Sequence, residues 1–154
     1  MTPSRIAIVL VSESSLPLAR LIARDLSGDT HIYSKTSLEG CEPMESVQSL
    51  VQSRFTDFEA WVFIGALGIC VRSIAPCITD KYQDPAVVNV DSTGRFVVSV
   101  LSGHVGGGNQ LATRVAQSIG GQAVVTTQSD NQGLWALDTM ARRYGWRTTA
   151  SHEE

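Results

Sequence analysis

The chain opens with an uninterrupted apolar run, Ile6–Val11 (IAIVLV), which reads as a β-strand covered on both faces. After the polar SESS comes LPLARLIARDL, where Leu18, Ile22 and Leu26 recur every fourth residue beside Ala19 and Ala23. That spacing predicts a helix, with Ser14 or Ser15 as N-cap, Pro17 tolerated in the first turn, and Ser27-Gly28-Asp29 as the stop. Thr30–Ser34 reads as a short strand, residues 35–44 as turns without a period, and Ser46–Phe55 as a helix with Val47, Leu50, Val51 and Phe55 inward. Ala60–Ile64 is a second buried strand; a Gly65–Gly68 turn follows, then a short helix, Ile69–Ala75, ended by Pro76. Beyond the polar loop Thr79–Pro85, two strands at Ala86–Val90 and Phe96–Val100 flank Asp91-Ser92-Thr93-Gly94, the pattern of a hairpin. Leu111, Val115 and Ile119, with Ala112 and Ala116, mark the clearest amphipathic helix, Gln110–Ile119, stopped by Gly120-Gly121. A strand at Ala123–Thr126 and a helix at Trp135–Arg143 complete the series, with Trp135, Leu137 and Met140 as core positions.

Strands and helices alternating at this density predict an α/β three-layer sandwich with a Rossmann-like, mostly parallel sheet and an antiparallel hairpin portion. One domain over residues 1–148 is expected, with 149–154 as a frayed tail. The 154 residues carry a formal charge of −3, and no Lys/Arg cluster appears, which argues against a nucleic-acid binder. The first apolar run is too short for a signal peptide or membrane span. Cys41, Cys70 and Cys77 form no CxxC pair, so free thiols in a reducing cytoplasm are expected. No metal-ligand spacing occurs among the histidines and cysteines.

Ligands of open α/β sheets bind beyond the carboxyl ends of strands. Loops placed there by the pattern are Ser12–Ser15, Gly65–Gly68, Ser102–Asn109 and the Thr126, Thr127, Ser129, Asp130 group, which would share one rim if their strands ran parallel. The most informative is LSGHVGGGNQLA, Leu101–Ala112. Gly103 suits a positive φ, and Gly106, Gly107 and Gly108 would let an anion approach backbone N–H groups at a helix start, or simply make a sharp turn. His104 is either an acid–base group or a histidine bonded to neighbouring backbone. Ser102 lacks the GxSxG setting and reads as a hydrogen-bonding residue. Arg72 sits in the otherwise apolar ICVRSIA, facing solvent or pairing with a ligand carboxylate. Asp80, Lys81 and Asp84 form either a solvated loop or a ligand contact, and Asp130 is either an N-cap or a contact.

Three stretches carry a family resemblance: GALGICVRSIAP at 65–76, DKYQDPAVVNVD at 80–91 and LSGHVGGGNQLA at 101–112. Within residues 63–130 the chain resembles the N-terminal region of the CbiG family, the cobalt-precorrin-5A hydrolases of anaerobic cobalamin biosynthesis. The resemblance implies opening of a δ-lactone and release of acetaldehyde to give cobalt-precorrin-5B. It implies catalytic roles for His104, Asp84 and Asp130. Substrate binding would fall to Gly65, Gly68, Arg72, Asp80, Lys81, Ser102, Gly103, Gly106, Gly107, Gly108, Asn109, Thr126 and Thr127. No protein-bound cofactor or metal is implied, because cobalt arrives inside the substrate. Implied partners are the cobalt-precorrin macrocycle, a C-terminal CbiG/CobE-like domain and a precorrin methyltransferase; a homodimer through an apolar helix face is compatible with the pattern. The alternative is a non-catalytic corrinoid-binding or scaffold domain.

Overall fold

A computed structural model describes residues 4–26, 28–103 and 106–127. The elements run β1 (Arg5–Leu10), α1 (Leu16–Asp25), β2 (Asp29–Ser34), β3 (Glu42–Pro43), α2 (Val47–Arg54), β4 (Ala60–Ile64), α3 (Leu67–Ile74), β5 (Ala86–Val90), β6 (Phe96–Leu101), α4 (Gly108–Ile119) and β7 (Gln122–Val124). Among the described residues they form a seven-stranded sheet in the order β3-β2-β1-β4-β5-β6-β7. Strands β1 to β5 are parallel; β6 pairs antiparallel with β5, and β7 runs parallel to β6. The mixed α/β class with a hairpin portion is therefore the one the pattern predicts. Its unheralded part is β3, a two-residue edge strand inside the turn-rich 35–44 segment. It exists because Met44 N–H donates to the Ser34 carbonyl and aligns the chain beside β2. Helices α3 and α4 each begin two residues before the apolar spacing suggests. The expected Trp135–Arg143 helix and the tail at 149–154 lie outside the described residues.

Strand alternation divides the core in two. Ile6, Ile8, Leu10, Val62 and Ile64 face α1 and α4, whose Ala19, Ile22, Leu111, Ala112 and Val115 complete that layer. Ala7, Val9, Trp61 and Phe63 face the opposite side, against Leu50 and Val51 of α2 and Cys70 and Ile74 of α3. Every residue of β4 is buried, which is why AWVFI shows no polar alternation. Trp61 satisfies its indole N–H on the Phe55 carbonyl at 3.0 Å and meets the edge of Phe58, centroids 5.2 Å apart. The one-turn 3-10 segment Phe55–Asp57 that closes α2 thus serves as the acceptor for the largest core side chain.

Two polar devices shape the sheet. At the hairpin, the Asp91 carboxylate accepts Arg95 N–H at 2.8 Å, Phe96 N–H at 2.6 Å, Thr93 N–H at 3.2 Å and the Thr93 hydroxyl. Gly94 N–H closes the turn on the Asp91 carbonyl at 2.9 Å, and its φ of +75° is a conformation that favours glycine. Toward the β3 edge, His31 of β2 lies between Asp29 and Glu42, Glu42 being in β3.

Replacing Asp91 with alanine exchanges its charged acceptor for water at the turn N–H groups and is expected to cost about 1–3 kcal/mol in chemical denaturation. A side-chain amide at this position would keep one acceptor oxygen, so Asp91→Asn should fall between wild type and Asp91→Ala. The Glu42 carboxylate raises the His31 pKa above its ordinary value, against burial and with help from Asp29. A raised folded-state value means that this contribution is full below the unfolded pKa, about 6.5, and is lost as pH rises through the folded value. The urea midpoint should therefore decline over that window, and His31→Gln should remove this component of the decline.

Candidate functional site

The antiparallel course of β6 decides where the glycine loop goes. Leu101, the last residue of β6, is opposite Val87 near the start of β5, past an irregularity in register between Val87 and Val88. The loop after β6 therefore lies at the amino-terminal edge of β5, beside the 79–85 loop. It is not on the rim formed by the carboxyl ends of β1 and β4. The candidate residues consequently divide between two ends of the sheet. Gly65 and Gly68 lie at the β4–α3 turn, at the end where the Ser12–Ser15 turn follows β1. Asp80, Lys81, Asp84, Ser102, Gly103, Gly106–Gly108, Asn109 and Thr127 gather at the other end.

That second end is tightly knit. Ser102 adopts a left-handed conformation, φ +55°, uncommon for a residue with a side chain. Its hydroxyl donates to the Asp84 carbonyl at 3.1 Å, tying the two loops together. Its own carbonyl accepts Gly106 N–H at 3.1 Å and Gly108 N–H at 3.2 Å. The Gly103 carbonyl accepts Asn109 N–H at 2.9 Å. Side chains are excluded here: a Cβ on Gly103 would fall 2.4 Å from Asn109 Oδ1, and one on Gly106 would fall 2.9 Å from the Ser102 carbonyl oxygen. The glycines are thus required first for the loop's contact with itself. Within the run Gly106–Gly108, the Gly107 N–H is the one with no acceptor among the described residues. Gly107, φ +83°, is also the residue from which α4 starts.

Asn109 is buried at 6% exposure in the first turn of α4, and its Nδ2 donates to the Thr127 hydroxyl at 2.6 Å. Thr126 and Thr127 follow β7, which runs in the direction of β6 and so delivers them to the same end. Asp84 is 6% exposed. Its carboxylate accepts Thr79 N–H at 2.9 and 3.1 Å, the Thr79 hydroxyl at 2.9 Å and Asp80 N–H at 3.0 Å. With both oxygens engaged, its visible work is to fold the 79–85 loop. Asp80 accepts Tyr82 N–H at 2.8 Å, and the Lys81 ammonium lies 5.3 Å from the centre of the exposed Tyr82 ring. His104, Val105 and Asp130 lie outside the described residues; Gly103 and Gly106, the described neighbours of the His104–Val105 pair, are both anchored as above.

Arg72 is placed elsewhere. It is an exposed residue of α3 that lines a crevice with Val11, Lys35, Val47 and Ile69. Sequence reasoning missed Lys35, although its position directly after β2 is the kind that signals a ligand rim. It also missed the Ser102–Asp84 link, which joins positions far apart in the chain. Gly65, φ +156°, is needed for close approach, since a Cβ there would come within 2.6 Å of the Val11 side chain; its carbonyl accepts Asn89 Nδ2 at 3.1 Å. Gly68 faces open space. The three cysteines are free, and burial pushes the Cys70 thiol up to about 12, so it is no nucleophile near neutral pH. Among the described residues no group of three His, Cys, Asp or Glu side chains is arranged to hold a metal, and no helix is long and apolar enough to cross a membrane.

The sequence profile of the family described as Cobalamin synthesis G N-terminal matches residues 49–130. Cobalt-precorrin-5A hydrolase of Salmonella typhimurium is 39% identical over 140 residues, covering 90% of this chain and 40% of its own. The enzyme of the same name from Priestia megaterium is 36% identical over 148 residues, covering 91% of this chain and 39% of its own. The chain thus spans about two fifths of the length of these relatives. In structure it resembles a cobalamin biosynthesis protein G homolog from Sulfolobus solfataricus, with TM-score 0.59 and 20% identity over 79% of this chain and 36% of that one. The profile match extends over more than half of the sequence and takes in the 79–85 and glycine loops: the chain belongs to the Cobalamin synthesis G N-terminal family.

Proposed function

We propose that the chain works as the N-terminal domain of a cobalt-precorrin-5A hydrolase, and that its share of the site is the end of the sheet where the 79–85 and glycine loops meet. The observation that carries this reading is the Ser102–Asp84 hydrogen bond, which holds the His104-bearing loop against the Asp80–Lys81 loop. The substrate is a macrocycle with several carboxylate arms. Lys81 supplies a cation at this end, and the Gly107 N–H a donor at the start of a twelve-residue helix.

In the proposed reaction, water adds to the lactone carbonyl and the ring C–O bond breaks, leaving a carboxylic acid and a secondary alcohol. His104 takes the proton from the attacking water. Loss of the alcohol proton then allows the carbon–carbon bond to break. Its electron pair passes to the macrocycle and the two-carbon unit leaves as acetaldehyde. Asp84 serves as a positioning residue in this scheme, since its oxygens are engaged by Thr79 and Asp80. Asp130 remains a candidate to share the proton transfers. A C-terminal CbiG/CobE-like domain and a precorrin methyltransferase are the proposed partners. The corrinoid-binding alternative draws support from the same geometry, in which most of the loop's donors are already satisfied internally.

Anaerobic incubation with cobalt-precorrin-5A, following acetaldehyde release and macrocycle binding together, separates the two. Turnover that falls about 10²–10⁴-fold in His104→Ala supports general-base catalysis. Binding without acetaldehyde in the unmodified chain supports the binding-domain alternative, and absence of both rejects either role for the chain alone. Asp84→Asn should weaken the Thr79 contacts and lower protease resistance of the 79–85 loop. If Asp84 itself moves protons, this substitution instead abolishes turnover with the loop unchanged.

A further inference from the structure

The end of the sheet away from the glycine loop holds a second concave feature. Strand order places β1 and β4 side by side, while the connection from β1 crosses toward β2 and that from β4 toward β5. Connections diverging in this way leave a gap above the carboxyl ends of the two strands, where open α/β sheets take their ligands. The gap here is a crevice of about 300 Å³, at the lower end of the roughly 300–1,000 Å³ usual for small-molecule pockets.

Its chemistry is one-sided. Val11, Val47 and Ile69 provide the apolar surface, Lys35 and Arg72 provide two cations, and no carboxylate among the described residues lines it. Neither cation has an ion-pair partner among the described residues. The neighbouring hydroxyls offer little competition for a ligand: Ser73 donates to the Ile69 carbonyl at 2.7 Å, and Ser46 is engaged with Ser49 in the α2 capping box. Two like charges beside one apolar hollow repel each other and favour an anion between them, and a guanidinium matches a carboxylate in two-point geometry.

We propose that this crevice is a second binding site, for a carboxylate carried on a short apolar body, held by Arg72 and Lys35. It is separate from the glycine-loop end. The five residues of β5 span roughly 17 Å between the two ends, and the sheet stands between them. The inference goes beyond the hydrolase reading and does not depend on it. The same chemistry is offered by a free small acid and by an acidic arm of a corrinoid, so the test uses both.

Methyl NMR titrations of the 154-residue chain with glutarate, and separately with a cobalt corrinoid polycarboxylate, distinguish the sources. Glutarate is expected to give saturable shifts at Val11, Val47 and Ile69, weakened about tenfold or more by Arg72→Gln, with Lys35→Gln acting in the same direction. Both residues are exposed, so circular dichroism should report unchanged folding in the two variants. Non-saturable shifts, or equal affinity in wild type and Arg72→Gln, would overturn the proposal. So would binding of the corrinoid alone with methyl shifts extending to Leu101 and Thr127 at the glycine-loop end, because the crevice would then be part of the macrocycle site. Acetaldehyde release is an independent readout: its absence sinks the hydrolase reading while leaving glutarate binding intact.

Discussion

The four hydrogen bonds gathered by the Asp91 carboxylate govern the rest of this structure. A parallel continuation after β5 would need a long crossover; the Asp91 turn instead reverses the chain within a few residues. Burial pushes the Asp91 carboxyl up, but the donations from Thr93, Phe96 and Arg95 outweigh it and hold the group below its ordinary value. From that reversal follow the direction of β6, the placement of the glycine loop beside β5, and the parallel addition of β7 that brings Thr127 to Asn109.

The glycine loop shows how far backbone packing and chemistry can compete for the same atoms. Gly106 and Gly108 turn their N–H groups to one carbonyl, that of Ser102, whose left-handed conformation aims it at both. Among the described residues this closure leaves the Gly107 N–H as the one in the Gly106–Gly108 run without an acceptor. Asp84 has the same character: a buried carboxylate whose acceptors are filled by its own loop.

The family assignment fits this division of labour. The matched segment includes the 79–85 loop, the Asp91 turn and the glycine loop, the parts whose residues depend on one another for conformation. Arg72 and Gly65 fall in the same segment yet at the other side or end of the sheet, so similarity along the chain does not translate into a single site. The two ends of the sheet present different chemistry: a closed glycine loop beside Lys81 at one, and Lys35 and Arg72 beside an apolar hollow at the other.

Helices, strands and their buried faces were legible from the sequence because they follow from local spacing. Leu18 and Ile22, Leu111 and Val115, and the unbroken AWVFI require no knowledge of partners to be read. The hairpin, too, was legible from Asp91 to Gly94 as turn-forming residues. Strand order, the two-residue β3, the Ser102–Asp84 bond and the Lys35–Arg72 crevice were not. Each joins residues distant in the chain, and their proximity arises only when strands pair and helices choose a face. The sequence by itself determined an α/β sheet and a glycine turn before an amphipathic helix; the tertiary structure alone decided which end of the sheet that turn occupies. The physical reason is that side-chain periodicity is set by each strand's own backbone, whereas its direction relative to a neighbour is set by hydrogen bonds to another segment.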